Sequence, residues 1–330
     1  MNSFGKLFRV HIFGESHGEC VGITIDGCPA GLSLTENDLL PDLERRKGGK
    51  QKGTTPRQEA DYPIFKSGLF NGKTTGFPIT ILFENNNTRS EDYNKQRNIP
   101  RPGHADWVAH QKFGGNEDYR GGGHFSARLT TGLVAAGAIA KKLMTGLGIH
   151  AEVTEIGGEK DLEQGLQKAI DAKDSIGGIV ECQITGVPVG LGEPYFDSVE
   201  SLIAHIMFTI PAVRGVEFGT GFSAAKMFGT EHNDVIEEMS GKTTTNHAGG
   251  AVGGITNGNE IVFRIAIKPT SSTPKEQTSL NWETGQAENF SIKGRHDLCV
   301  ALRAPVIVEA ATALVLVDLM IQEQKIKRVL

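Results

Sequence analysis

Asn257-Gly258-Asn259-Glu260-Ile261-Val262-Phe263-Arg264-Ile265-Ala266-Ile267-Lys268 is the stretch that sets the fold class. Ile261, Phe263, Ile265 and Ile267 fall on one face of an extended chain, and Arg264 and Lys268 on the other. That two-residue period belongs to a half-buried antiparallel strand. Asn257-Gly258 just before it predicts a tight hairpin turn. Val21 to Asp26, Phe77 to Glu84 and Gly178 to Ile184 read as further strands. Helices lie between them. Thr130 to Thr145 is apolar and rich in small residues, which suits close packing inside a layered fold. Pro305 to Gln322 carries its proline in the first turn, where a missing N–H costs least. Thr35 to Lys47 opens on a capping-type Thr35…Asp38 spacing, and Pro41 either kinks that helix or marks its true start. Strands and helices do not alternate as βαβ units, which argues against a Rossmann fold. The expectation is one compact α+β domain over residues 1–330.

Composition narrows the function. The chain has 330 residues, 38% hydrophobic and 22% charged, as expected of a soluble globular protein. Its 42 glycines follow no collagen period and point to sharp turns or close backbone–ligand approaches. A formal charge of −5 argues against bulk binding of nucleic acid or anionic membrane. The most apolar stretch, Val300 to Ile321, is interrupted by Arg303, Pro305, Glu309 and Asp318, so no membrane span is expected. Cys20, Cys28, Cys182 and Cys299 show no metal-ligand spacing. Reduced thiols, no metal and a cytoplasmic location are the natural expectation.

Two histidines sit in glycine-bracketed loops. His17 lies in Gly14-Glu15-Ser16-His17-Gly18, just after the apolar run Leu7 to Phe13. His104 lies in Arg101-Pro102-Gly103-His104-Ala105-Asp106. Histidine exchanges protons near neutrality, so the pair suits acid–base chemistry; a loop histidine bonded to a nearby carbonyl is the plain alternative. Arg45, Arg46, Lys47, Lys50, Lys52 and Arg57 form a basic run in an acidic chain, and Arg101, Arg120, Arg128 and Arg295 add further loop cations. Arginine forks match phosphate and carboxylate, so several could converge on a small polyanion; otherwise the run is a solvated loop. Tyr119-Arg120-Gly121-Gly122-Gly123-His124-Phe125-Ser126-Ala127-Arg128 leads into the Thr130 helix. It reads as an anion-facing glycine loop or as a structural turn. No Walker or dinucleotide glycine motif is present. Lys268-Pro269-Thr270-Ser271-Ser272 ends the best strand with one cation and three hydroxyls. Gly294-Arg295-His296-Asp297 sets an arginine, a histidine and a carboxylate before the last helix.

GESHG, RPGHAD, NHAGG, KPTSS and GRHD, in this order, resemble the chorismate synthase family over nearly the whole chain. The resemblance implies antiparallel sheets sandwiched with helices. It also implies a lyase that converts 5-enolpyruvylshikimate 3-phosphate to chorismate and phosphate, reduced FMN without net redox change, and a homotetramer. It implies that His17 protonates the reduced flavin, that His104 is the acid toward departing phosphate, and that Asp297 works with the flavin in removing the ring proton. Ser16, Arg46, Lys52, Arg128 and Arg295 are implied on the substrate. His124, Phe125, Ser126, Pro211, Ala212, Gly253, Lys268, Pro269, Thr270, Ser271, Ser272 and Arg295 are implied on FMN. Some members of the family reduce their flavin themselves with NADPH; an external flavin reductase is the other route.

The chain departs from the family pattern in three places. His124-Phe125-Ser126-Ala127-Arg128 stands where the family has Arg-Ser-Ser-Ala-Arg. Lys47-Gly48-Gly49 replaces Arg-Pro-Gly, and Lys52 replaces an arginine, losing a fork but keeping charge. Two rival readings remain at this level. One is a flavin reductase using NAD(P)H; the other is a non-catalytic binder of RNA or polyphosphate through the Arg45–Arg57 loop.

Overall fold

The computed structural model describes residues 2–49, 52–55, 59–87, 97–292 and 296–330. One sheet has the spatial order β1 (Ser3–Phe4), β2 (Arg9–Gly14), β3 (Cys20–Asp26), β7 (Ile79–Glu84) and β4 (Ile64–Ser67), with a small ribbon of β5 (Leu69–Phe70) and β6 (Lys73–Thr74) beside it. The second sheet runs β10 (Val213–Phe218), β13 (Ile261–Ile267), β9 (Gly178–Thr185) and β8 (Gly148–Ile156). Every pairing in both sheets is antiparallel. Short ribbons β11 (Ala251–Val252) with β12 (Ile255–Thr256), and β14 (Gln277–Asn281) with β15 (Gln286–Phe290), complete the strands.

The expected period of β13 is present: Ile261, Phe263, Ile265 and Ile267 are buried while the residues between them are half-buried. The hairpin expected at Asn257-Gly258 does not form. The turn is there, with Gly258 at φ +89°. However, β12 pairs back onto β11, and β13 pairs with β9 and β10. A seven-residue apolar face needs long partners on both sides, and the two-residue β12 cannot supply one.

Six helices concern the site: α1 (Leu40–Arg46), α2 (Asp106–Phe113), α3 (Thr130–Leu143), α4 (Leu162–Ala172), α5 (Val199–Met207) and α6 (Pro305–Gln322). Pro41 marks a start, not a kink, because it falls in the first turn of α1. The Thr35…Asp38 box instead closes a short 3₁₀ turn, where Thr35 N–H donates to Asp38 at 2.8 Å. Helix α3 packs on β2, β3 and β7, α6 packs on β8 and β9, and the two helices pack on each other. The result is a sandwich of sheet, helix, helix and sheet. The small residues of α3 explain its closeness to both neighbours. A Cβ on Gly137 would come within 2.3 Å of the Ala310 Cβ, and one on Gly132 within 3.1 Å of Ile23.

Helix α6 is long and apolar enough to cross a membrane by composition alone, yet it is buried from Val306 to Met320 inside this sandwich. Its two carboxylates are fully used. Glu309 takes Arg45 through both oxygens at 2.7 Å and Lys141 at 2.8 Å. Burial works to raise its pKa, but those bonds win and hold it below the usual range. Asp318 accepts the backbone N–H groups of Lys6, Leu7 and Phe8 and so pins the approach to β2.

Candidate active site

One large cavity, of about 1380 Å³, opens between the β2 end of the first sheet and the loops around His104 and Lys268. Strand β2 delivers His17. At Gly14 the backbone turns at φ +94°, and a Cβ there would meet the Cys20 carbonyl at 2.3 Å. Ser16 and His17 are both buried. The Ser16 hydroxyl lies 3.1 Å from the Gly121 carbonyl and 2.9 Å from His17 Nδ1. A hydroxyl has one proton, and the carbonyl can only accept. Ser16 therefore donates to Gly121 and accepts from His17 Nδ1–H, which fixes the tautomer of that ring.

His104 is held differently. Its Nδ1 lies 2.6 Å from Asp106 and 3.0 Å from Arg101 Nη2. Both contacts cannot be hydrogen bonds at once, because Nδ1 either donates or accepts; the shorter, charge-assisted bond to the carboxylate prevails. Asp106 opens α2 and takes Arg101 through Nε at 2.7 Å and Nη2 at 2.8 Å. Burial tends to raise its pKa, but the bonds from Arg101 and His104 hold this carboxyl far below the usual range. Lys268 and Ser271 both bond the Gly103 carbonyl, at 3.1 and 2.8 Å, so the Lys268–Ser272 segment braces the His104 loop.

The triple glycine lies between the two histidines. Gly121, Gly122 and Gly123 all have positive φ. A Cβ on Gly121 would overlap the His17 ring at 2.2 Å, and one on Gly122 would sit 3.2 Å from the His104 ring. The glycines are there to let two imidazoles lie against the backbone. The loop then runs through Ser126, whose hydroxyl accepts the Arg128 N–H, into a 3₁₀ turn and α3.

The arginines are largely paired inside the protein. Arg46 and Arg128 are buried and share Asp61, a residue held at φ +49°. Arg46 also donates to Thr130 and to the Ala127 carbonyl, and Arg128 to Asn85 and the Glu84 carbonyl. Burial pushes the Arg46 guanidinium down to about 9, with Asp61 opposing and Arg303 and Arg128 adding to it. Arg120 pairs with Asp118. Asp297 takes Arg303 at 3.1 Å and the Thr55 N–H at 2.9 Å. Lys268 and Arg214 line the cavity with no carboxylate partner among the described residues, and burial followed by Arg214 lowers the pKa of Lys268.

The cavity thus brings together His17, Arg46, His104, His124, Phe125, Ser126, Arg128, Pro211, Ala212, Lys268, Thr270, Ser271, Ser272 and Asp297. Ser16 lies behind His17. Lys52, Gly253 and Pro269 do not line it: Lys52 reaches Gln167 on α4, and Gly253 makes the β11–β12 turn. Arg295, Lys50 and Arg57 lie outside the described residues. The sequence reading assigned no role to Asp61, Asp106 or Arg303, and took Arg101 only as a loop cation that could meet a polyanion. Only Asp106 carried a signal, standing two residues after His104 in its motif.

A flavin fits this cavity. Small-molecule pockets run to about 300–1,000 Å³, so there is room for a cofactor and a substrate together. Val10, Ile12, Leu133, Phe125 and Trp282 supply apolar wall, and Lys268 and Arg214 supply unpaired positive charge. Thr270 Oγ1 and His296 Nε2 are buried with no hydrogen-bond partner among the described residues. Burial and Arg101 hold His296 below the usual imidazole range, with Asp297 opposing. Ala212 keeps φ +75°, rare for a residue with a Cβ, while its carbonyl accepts the Lys268 N–H at 2.9 Å.

Two oriented imidazoles, a carboxylate and unpaired cations around one cavity define an acid–base enzyme for a small anionic substrate. The family model for chorismate synthase matches residues 8–321. A chorismate synthase of Chitinophaga pinensis is 67% identical over 330 residues, covering 100% of this chain and 99% of that one. One from Korarchaeum cryptofilum is 43% identical over 346 residues, covering 96% of each. A crystal structure of chorismate synthase superposes with a TM-score of 0.73 at 26% identity, covering 97% of this chain and 93% of the other. The chain belongs to the chorismate synthase family. It is a carbon–oxygen lyase that forms chorismate from 5-enolpyruvylshikimate 3-phosphate in the shikimate pathway, and its class works with a flavin.

Proposed function

We propose that the flavin is FMN in its reduced form, that the cycle leaves its redox state unchanged, and that the enzyme works as a cytoplasmic homotetramer. The observation that carries the site assignment is the mounting of His17 and His104 on successive glycines of one loop. Reduced FMN, when bound, supplies electron density to the breaking C–O bond and recovers it. His17 holds a proton at Nε2 on the cofactor side, with Ser16 fixing its tautomer. His104, with Nδ1 committed to Asp106, presents Nε2 as the acid toward the departing phosphate. Asp297 works with the flavin in removing the ring proton, and Arg303 holds that carboxylate in place at 3.1 Å. Lys268 and Arg214 offset charge on the anionic groups. Arg46, Arg128 and Ser16 shape the substrate pocket from behind, through Asp61 and the glycine loop. Lys52, Arg295 and Gly253 are assigned to the ligands from the family pattern.

Support for assembly comes from the surface. Tyr195, Phe196, Phe222, Phe228 and Met239 are all strongly exposed, large apolar side chains that contact between chains would cover. Titration with FMN, FAD and riboflavin, followed by flavin fluorescence with and without substrate, tests the cofactor; sedimentation tests the assembly. Tight binding of FMN in a species of four chains is the expected result. Preference for FAD, or a monomer at micromolar concentration, would overturn it.

A further inference from the structure

Three hydrogen bonds stitch the loop that carries His17 to the glycine loop. The Ser16 N–H donates to the Gly123 carbonyl at 3.2 Å, the Ser16 hydroxyl to Gly121 at 3.1 Å, and the His124 ring to the Gly14 carbonyl at 2.8 Å through Nδ1. The first two hold the residue before His17. The third holds the corner from which the whole loop departs, a glycine at φ +94° with no space for a side chain. Because a carbonyl oxygen only accepts, His124 must carry its proton on Nδ1. That commits one nitrogen of the ring to the backbone and leaves only Nε2 for the cavity.

We propose that His124 is a positioning residue for His17. Its Nδ1–H latches the Gly14 carbonyl and so sets the angle at which the Glu15-Ser16-His17 turn lays the imidazole against Gly121. The chain carries histidine here where the family pattern has arginine, and the ring works through the backbone, not as a fixed cation. The proposal rests on the reading of His17 as a proton donor.

Asparagine and glutamine separate the two ring nitrogens, since the Asn amide nitrogen falls near Nδ1 and the Gln amide nitrogen near Nε2. The experiment measures kcat with reduced FMN and 5-enolpyruvylshikimate 3-phosphate, FMN affinity by fluorescence quenching, and melting temperature. His124→Ala, His124→Asn, His124→Gln, His17→Ala and the double alanine variant are compared with the wild type. Losing the latch in the Ala and Gln variants lowers kcat about tenfold, the scale of one well-placed hydrogen bond, with smaller changes in KM and FMN affinity. Asn recovers kcat to within about threefold of wild type. In the His17→Ala background the second substitution costs less than about twofold more, because the latch acts through His17. The proposal is overturned if Asn is as slow as Ala, if the loss falls wholly on FMN affinity, or if the double variant loses the full product of both effects. A His17→Ala enzyme with wild-type kcat would instead sink the reading of His17 itself. The isosteric Asn and Gln variants keep the test intact if Ala fails to fold.

Discussion

His17 and His104 lie against neighbouring glycines of one loop, yet opposite chemistries hold them. Against the Nδ1 of His17 lies a neutral hydroxyl that hands its own proton to a backbone carbonyl. The partner of His104 is an ionised aspartate braced by an arginine fork. A neutral partner fixes the orientation of the ring without placing a charge beside it. A carboxylate fixes orientation too, through a shorter bond to an ionised oxygen, and commits the His104 Nδ1 to Asp106. On the proposed roles, two acids in one site are set for different tasks by the groups that hold them.

The largest effects should separate the histidines from everything around them. His17→Ala and His104→Ala should each lower turnover by roughly 10²–10⁴-fold, the range for acid–base groups, with little change in melting temperature. Near-normal turnover in either would break the comparison. Asp61→Asn should act on the other side of the site and mainly on folding. It leaves Arg46 and Arg128 buried without a counter-charge, at a cost of about 3–5 kcal/mol in denaturant unfolding. A loss below about 1 kcal/mol would mean that the two arginines find other partners.

Asp106→Asn sharpens the contrast between the two holders. Losing a charged hydrogen bond costs about 1.5–3 kcal/mol, or roughly 10- to 100-fold in kcat. Ser16→Ala, which removes a neutral bond, should cost less than that; the reverse order would undo the argument. The pH dependence of stability follows from the depressed pKa of Asp106. A carboxyl held below its unfolded value stabilises the fold above about pH 4 and loses that contribution as pH falls further. Acid unfolding of Asp106→Asn should therefore be shallower than that of the wild type. The smallest effect concerns the thiols. Burial pushes Cys28 and Cys182 up to about 12 and raises Cys299 and Cys20 as well, the last with help from Glu19, but only Cys20 is half-buried where the other three are buried. A thiol reagent at pH 8 should modify Cys20 well before the other three, all four reacting after denaturation.

Much of the fold was legible because β13 and β3 carry their two-residue period within single segments and α6 is one apolar run opened by Pro305. Which strands pair was not. Asn257-Gly258 marked a real turn, but the partners of β13 were chosen by matching long apolar faces far apart in sequence. The histidines were legible from their loops, and Gly121-Gly122-Gly123 as a loop without side chains; that two imidazoles occupy the vacated space appears only in three dimensions. The carboxylates that pair the arginines were hidden for the same reason. Asp61, Asp106, Asp118 and Glu309 meet Arg46, Arg101, Arg120 and Arg45 with no common spacing. Among the described residues, most of the arginines expected to meet a polyanion pair inside the protein, while Lys268 and Arg214 carry positive charge into the cavity.

The most direct test is anaerobic. The protein is mixed with dithionite-reduced FMN and 5-enolpyruvylshikimate 3-phosphate, and chorismate, phosphate and the flavin spectrum are followed together. Equal amounts of chorismate and phosphate over many turnovers, with the flavin still reduced at the end, are what two acids and a base around a redox-neutral cofactor predict. Product formed only in proportion to flavin oxidised, or phosphate released without chorismate, would contradict it.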